Sequence, residues 1–178
     1  MQDSSDCLKV RGFEVVSSCI DIVEKSLLPR RATAGSAGYD FFAIREEDIP
    51  QSIIGDPLGL IGLGLGGVPS LKPYLVKTGI KAYMRQDEGL FLFSRSSAPM
   101  KYGLTLANAV GVVDSDYYNN PDNEGEIGFL FYNLSKYVFH INKGDKIGQG
   151  IFLPIRLVDS DVVTELESRT GGFGSTGD

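Results

Sequence analysis

The sequence predicts an all-β fold, and three observations carry that prediction. Twenty-two glycines and eight prolines break the 178-residue chain into many short segments. Between them stand apolar runs rich in β-branched and aromatic residues, as in Leu90-Phe-Leu-Phe93, and such residues fit a pleated sheet. Turn-forming clusters such as Asn119-Asn-Pro-Asp-Asn123 and Lys143-Gly-Asp145 punctuate the runs. The length suits one domain with decorations and an adequate core.

In chain order, Phe13-Glu-Val-Val16 reads as a strand and Ser17–Lys25 as a short helix that packs Ile20 and Val23 on one face. Pro29–Gly38 is a loop of small residues, which lets a ligand or another chain approach the backbone. It feeds the strand Tyr39–Ile44, with Asp40 at the loop's exit. Residues 46–70 are apolar and glycine-rich and include Gly62-x-Gly64-x-x-Gly67. That spacing belongs to a dinucleotide-binding turn only where a helix follows. Here Val68-Pro69-Ser70 follows, so the region reads as a surface insertion.

Tyr74–Lys77, Gly79–Met84 and Leu90–Phe93 read as strands, with Gln86–Gly89 as a hairpin turn between the last two. Ser94–Gly103 holds one helical turn ended by Gly103. Ala109–Val113 is a buried strand, and Glu124–Tyr132, Lys136–Ile141 and Ile147–Leu153 supply more.

Seventeen basic and twenty-three acidic residues leave a net charge of −6 and a pI near 4.8. Nucleic acid and anionic membrane surfaces need a basic footprint, so neither is an expected partner. Cys7 and Cys19 do not make a disulfide framework and read as free thiols. The N-terminus lacks the pattern of a signal peptide and no run reaches transmembrane length. A cytoplasmic location is expected.

The chemistry centres on Leu106–Tyr118. Asp114-Ser-Asp-Tyr117 places two carboxylates and a phenol directly after an apolar run. A strand pair that delivers a carboxylate and a ring to one spot preorganises a site. Arg95-Ser96-Ser97 offers a guanidinium, two hydroxyls and backbone N–H groups to an anion. A serine cap beside a surface arginine is its plainer reading. His140, the single histidine, reads as a packing or surface residue. The tail from Arg169 to Asp178 is glycine-rich, with one aromatic ring at Phe173 and hydroxyls at Ser175 and Thr176. It reads as a flexible arm able to close over a flat ring and phosphates.

Five ordered segments together resemble the trimeric deoxyuridine triphosphate nucleotidohydrolases (dUTPases). They are Ala37–Asp40, Arg95–Ser97, Asn108–Tyr117, Gly144–Gln149 and Gly171–Gly177. The resemblance implies a distorted jelly-roll-like β-barrel with one short helix, spanning residues 1–168, with an insertion at about 46–70 and a flexible arm at 169–178. It also implies a homotrimer with shared sites, Mg²⁺ as cofactor, and hydrolysis of dUTP to dUMP and pyrophosphate. By position, Asp114 resembles the general base that activates water. Asn108 and the backbone near Gly111 would read uracil, and Tyr117 would pack on deoxyribose and exclude a 2′-hydroxyl. Arg95, Ser96, Ser97 and Gln149 would hold and orient the phosphates. Phe173 would stack on the base, Ser175 and Thr176 would meet the γ-phosphate, and Asp40 would reach Mg²⁺ only through water.

The chain departs from the family pattern in three places. The turn after Tyr117 is long, Arg169 stands two residues before Gly-Gly instead of three, and residues 1–26 and 46–70 match no common motif. A deoxycytidine triphosphate deaminase is the nearest rival, yet Asp114-x-x-Tyr117 and the aromatic tail are not expected of it. Zinc deamination needs a His and Cys constellation that this sequence lacks. A non-catalytic nucleotide sensor or regulator on the same fold is the other alternative, with the 46–70 insertion as its partner surface.

Overall fold

The computed structural model describes residues 9–54 and 70–159. Thirteen strands stand among them: β1 (Gly12–Val15), β2 (Tyr39–Phe42), β3 (Glu47–Ile49), β4 (Ile53–Ile54), β5 (Ser70–Leu71), β6 (Tyr74–Lys77), β7 (Ile80–Tyr83), β8 (Glu88–Ser94), β9 (Leu104–Leu106), β10 (Gly111–Val113), β11 (Gly128–Asn133), β12 (Phe139–Ile141) and β13 (Lys146–Pro154). Among the described residues the helical content is limited to single turns, the longest being Ala98–Tyr102. The predicted all-β class is what the chain adopts.

The widest sheet has the order β10-β8-β13-β2 and every ladder in it is antiparallel. Strand alternation explains its core face: Leu90 and Leu92 are buried while Phe91 and Phe93 between them are only half-buried. A second sheet, β6-β11-β9, buries Phe129 and Phe131 by the same alternation. Phe41 of the first sheet meets Phe129 of the second edge to face, with centroids 5.4 Å apart, and the two sheets share one hydrophobic core. Truncating Phe129 to Ala would cost about 3–5 kcal/mol by the cavity it leaves.

Smaller ladders complete the fold: β1-β7, β12-β3 and β4-β5. The β3 residues 47–49 pair with β12, so the start of the region read as an insertion is part of the sheet framework. Ile53 and Ile54 pair with Leu71 and Ser70. The two ends of the described chain on either side of 55–69 therefore lie in one ladder. Residues 55–69 themselves lie outside the described residues.

Several boundaries differ from the sequence reading. Gln86–Gly89 does not close a hairpin, because β7 pairs with β1 while β8 pairs with β10 and β13. The turn carries the chain from one sheet to another, which local turn chemistry cannot distinguish from a hairpin. Ser17–Lys25 forms two separate 3₁₀ turns, Ser17–Cys19 and Lys25–Leu27, and Ile20 stands outward at 65% exposure while Val23 is buried. Ala109 and Val110 belong to a turn and not to a strand, and Val112 faces out. Glu124–Ile127 and Lys136–Val138 also precede their strands.

Candidate active site

Three strands bring the first, second and fourth sequence motifs into one patch. Gln149 of β13 is the register partner of Asp40 on β2 and of Phe93 on β8. Lys146 lies opposite Phe42 and its Nζ leans along the strand to Asp40 Oδ2 at 2.6 Å. A register shift between Lys146 and Gly148 accompanies this diagonal approach. Arg95 follows β8 and its Nη1 donates to the Lys146 carbonyl oxygen at 3.2 Å. Arg30 and Asp40 exchange backbone hydrogen bonds, the shorter at 2.8 Å. The Asp40 carboxylate is thus paired with Lys146, while the Arg30 guanidinium turns to the Ser26 carbonyl and over the Phe42 ring.

Gly38 is needed here for space. A Cβ at that position would lie 2.7 Å from Gln149 Oε1, so any larger residue would displace the glutamine amide. The small-residue loop accordingly lets its neighbour on β13 sit close to the backbone.

Arg95-Ser96-Ser97 leads into the turn Ala98–Tyr102, a single π-type turn ended by Gly103 in the left-handed region at φ 65. The Ala98 N–H donates to the Arg95 carbonyl at 3.0 Å. Ser97 occupies the cap position yet makes no side-chain capping bond, which disfavours the capping reading of this tripeptide. Below the patch opens a cavity of about 140 Å³ floored by Leu104, Phe131, Phe139 and Ile147. Arg95, Ser97, Asp145 and Lys146 stand at its polar side. Asn108, Asp114 and Tyr117 do not line it.

The third motif forms a separate surface. Its hairpin joins β9 to β10 through a tight turn at Asn108–Val110, where the Val110 N–H donates to the Asn108 carbonyl at 2.6 Å. Ala109 between them has φ 58, an uncommon strained value for a residue with a Cβ. Gly111 faces Leu92 so closely that a Cβ would sit 3.1 Å from that side chain, which lets β10 press on β8. Asp114 ends β10 with extended backbone and is exposed, and Ser115–Tyr117 make one 3₁₀ turn after it. Tyr117 is only 6% exposed and belongs to the core cluster. Its hydroxyl donates to the Glu126 carbonyl at 3.4 Å and accepts from Asn123 Nδ2 at 2.7 Å.

Register fixes how far apart these surfaces lie within one chain. Val113 opposes Leu90 and Gly111 opposes Leu92, so Asp114 leaves at the Gly89 end of β8. Arg95 leaves at the other end, after Ser94. Six strand residues separate the two levels, roughly 20 Å at the usual rise per residue. Asp114 and the Arg95 patch of the same chain do not face one another across a single phosphate.

Lys146 drew no role from the sequence. Lys146 sits within the segment Gly144–Gln149, and only strand pairing reveals its contact with Asp40. His140 is exposed and paired with Asp48 across β12 and β3 at 2.7 Å, as its surface reading expects. Cys19 is a free thiol, whereas Cys7, Arg169, Phe173, Ser175 and Thr176 lie outside the described residues. Among the described residues no helix is long and apolar enough to cross a membrane.

Comparison with known proteins places the chain. A dUTPase family model matches residues 67–177. The crystal structure of dUTPase from Streptococcus mutans superposes with a TM-score of 0.68 at 39% identity, covering 83% of this chain and 98% of that one. The dUTPase of phage phi11 of S. aureus shares the fold at a TM-score of 0.57 and 18% identity, over 90% of this chain and 99% of that one. The fold is therefore that of the all-β dUTPases. A deoxyuridine 5′-triphosphate nucleotidohydrolase of Lactococcus lactis is 41% identical over 170 residues, 96% of this chain and 99% of its own length. This chain belongs to the dUTPase family.

Proposed function

We propose that this protein hydrolyses dUTP to dUMP and pyrophosphate, with Asp114 taking a proton from the attacking water. The observation that carries the reading is the division of the site into two complementary surfaces. One offers the exposed Asp114 carboxylate at the end of a core-anchored hairpin. The other offers Arg95, Ser97, Lys146 and Gln149, with Asp40 and Asp145 beside them. A carboxylate held on a rigid strand accepts a water proton, and cations with hydroxyls hold the triphosphate while negative charge develops.

A spacing of roughly 20 Å along the strand within one chain supports a site completed by a second copy, each chain giving Asp114 to one site and the Arg95 patch to another. A homotrimer with three such sites is the arrangement we infer. Asn108 and the hairpin backbone read uracil in this scheme, and the exposed margin of Tyr117 meets the sugar. Ser96 shares the phosphates with Arg95 and Ser97. Phe173, Ser175, Thr176 and Arg169 contribute from the C-terminal segment.

Mg²⁺ fits this donor set as a cofactor held mainly by phosphate oxygens and water. Among the described residues no three His, Cys, Asp or Glu side chains gather into a cage. Asp40 is a hard oxygen donor already paired with Lys146, suited to contact a hydrated ion through water. When bound, the ion would neutralise phosphate charge. In this reading the insertion at about 46–70 is the segment that would meet a protein partner, and residues 1–168 are one domain.

The test is to offer the purified protein dUTP, dCTP, dTTP and UTP with Mg²⁺ and identify the products. Release of dUMP and pyrophosphate from dUTP alone, abolished by chelation, is expected. Ammonia release from dCTP would assign the protein to the deaminase branch instead.

A further inference from the structure

The segment 118–126, which follows Tyr117, is bent into conformations that a chain avoids unless other contacts hold them. Asn119 has φ 60 and Glu124 has φ 58, both uncommon for residues with a Cβ, and Gly125 has φ 77. Backbone bonds close the loop on itself: Glu124 N–H to the Asn120 carbonyl at 2.7 Å, and Asn120 N–H to the Tyr117 carbonyl at 3.1 Å. Lys81 of β7, buried at 9% exposure, donates to Asn119 Oδ1 at 2.7 Å and to Glu124 Oε2 at 3.1 Å. The Ser17 N–H adds a bond to Glu124 Oε1 at 3.1 Å. Two other parts of the fold therefore fasten this loop.

What the fastened loop holds is the phenol of Tyr117. Asn123 uses both ends of its side chain: Nδ2 donates to Tyr117 Oη at 2.7 Å while Oδ1 accepts the Gly125 N–H at 3.0 Å. Asn123 also accepts the Glu126 N–H on its carbonyl at 3.0 Å, and the Glu126 carbonyl in turn accepts from Tyr117 Oη. A Cβ on Gly125 would stand 2.2 Å from the Tyr117 carbonyl oxygen, so the positive φ and the close approach both demand glycine. The core grips the body of the ring and Asn123 grips its outermost atom.

We propose that Asn123 is a positioning residue which, acting through Tyr117, sets the preference for a deoxyribose over a ribose nucleotide. The proposal rests on the reading that Tyr117 packs against the sugar. Excluding one added hydroxyl by shape requires a wall that does not yield, because a wall free to shift by a fraction of an ångström admits the larger sugar. The Asn123 donor holds the phenol end at 2.7 Å, a shorter grip than the 3.4 Å bond to the Glu126 carbonyl, and so limits how far the ring can rock. Within the loop, Asn123 is the residue whose side chain meets the Tyr117 hydroxyl.

The test compares the full-length protein with Asn123→Ala, Asn123→Ser and Asn123→Asp, each alone and combined with Tyr117→Phe. kcat and KM for dUTP and UTP are read, together with binding of the non-hydrolysable α,β-imido analogues of both. Asn123→Ala is expected to lower the dUTP-over-UTP preference about tenfold, chiefly through KM and analogue affinity, while kcat on dUTP stays within about twofold. Asn123→Ser, too short to reach Oη but able to accept the Gly125 N–H, should behave alike and serves where the alanine variant folds poorly. Asn123→Asp should restore the preference, since the phenol can turn its hydrogen from the Glu126 carbonyl to the new carboxylate. In the Tyr117→Phe background none of the three should lower the preference further. An unchanged preference in Asn123→Ala or Asn123→Ser, or an equal loss with and without the Tyr117 hydroxyl, would overturn the proposal. Should the parent protein hydrolyse neither nucleotide, the proposed reaction fails, and the two analogues still decide on Asn123 by binding.

Discussion

Lys146 Nζ meets Asp40 Oδ2 at 2.6 Å across the β2–β13 ladder, joining residues 106 positions apart in the chain. The side chains keep 38% and 16% of their exposure, so the pair is partly screened by water. Asp40→Asn should therefore cost no more than about 1 kcal/mol of stability. If the carboxylate serves a hydrated Mg²⁺, the same variant should raise the Mg²⁺ concentration for half-maximal turnover severalfold. A Mg²⁺ titration of the steady-state rate measures this, and an unshifted midpoint would remove Asp40 from the ion's surroundings.

Asp114→Asn should leave the melting temperature close to that of the parent protein, because the residue is exposed at a strand end. Turnover should fall by on the order of 10²–10⁴-fold, the usual cost of losing a general base. Near-normal hydrolysis would refute the assignment, and the exposed Asp116 would be examined next.

Shared sites make a prediction that a self-contained site does not. Asp114→Asn and Arg95→Ala should each be nearly inactive alone. Co-expressed in equal amounts, they should recover about a quarter of the activity, since random mixing pairs an intact Asp114 with an intact Arg95 at that frequency. Mixtures that stay as inactive as either parent would show that one chain supplies both residues.

His140 and Asp48 pair across β12 and β3 at 2.7 Å. The hydrogen bond that the protonated His140 Nδ1 donates to Asp48, and then the Asp48 charge, raise the His140 pKa above the ordinary value of 6.5. A pKa higher in the folded than in the unfolded chain gives stability that is complete below about 6.5 and fades as pH rises through the folded value. Melting temperature should thus decline slightly from pH 6 to pH 8 (approximate bounds), and His140→Ala should flatten that slope. Both side chains are more than half exposed, so the effect is small and is best seen by comparing the two slopes.

Lys81 is the best stability probe of the 118–126 loop. It is buried and donates to Asn119 and Glu124, and hydrogen bonds of a charged group contribute about 1.5–3 kcal/mol. Lys81→Met should lower stability by an amount in that range, measured by denaturant unfolding. A change below about 0.5 kcal/mol, the scatter of ordinary surface substitutions, would mean that the loop's other bonds, those of Ser17 and Asn123 among them, hold it without Lys81.

Strands with strong alternation or continuous apolar character were legible from their residues: Tyr74–Lys77, the core of β8 around Leu90–Phe93, and most of β13. Their pairing was not. Gln86–Gly89 carries ordinary turn residues, and whether the chain doubles back or crosses to another sheet depends on which remote strand offers an edge. Ile20 looked like one face of a helix because its spacing to Val23 suits one, yet the segment breaks into two 3₁₀ turns and exposes it.

By itself the sequence determined the all-β class, the order of the five motifs and the chemical type of each site group, because these depend on local composition and residue identity. Tertiary structure alone decided that Lys146 faces Asp40, that Asn123 grips the Tyr117 phenol, and that Asp114 and Arg95 leave opposite ends of one ladder. Such relations are set by strand register and by loop closure between residues distant in sequence. A shift of one residue in register turns every side chain of a strand to the other face, and no local pattern in the chain records which register is chosen.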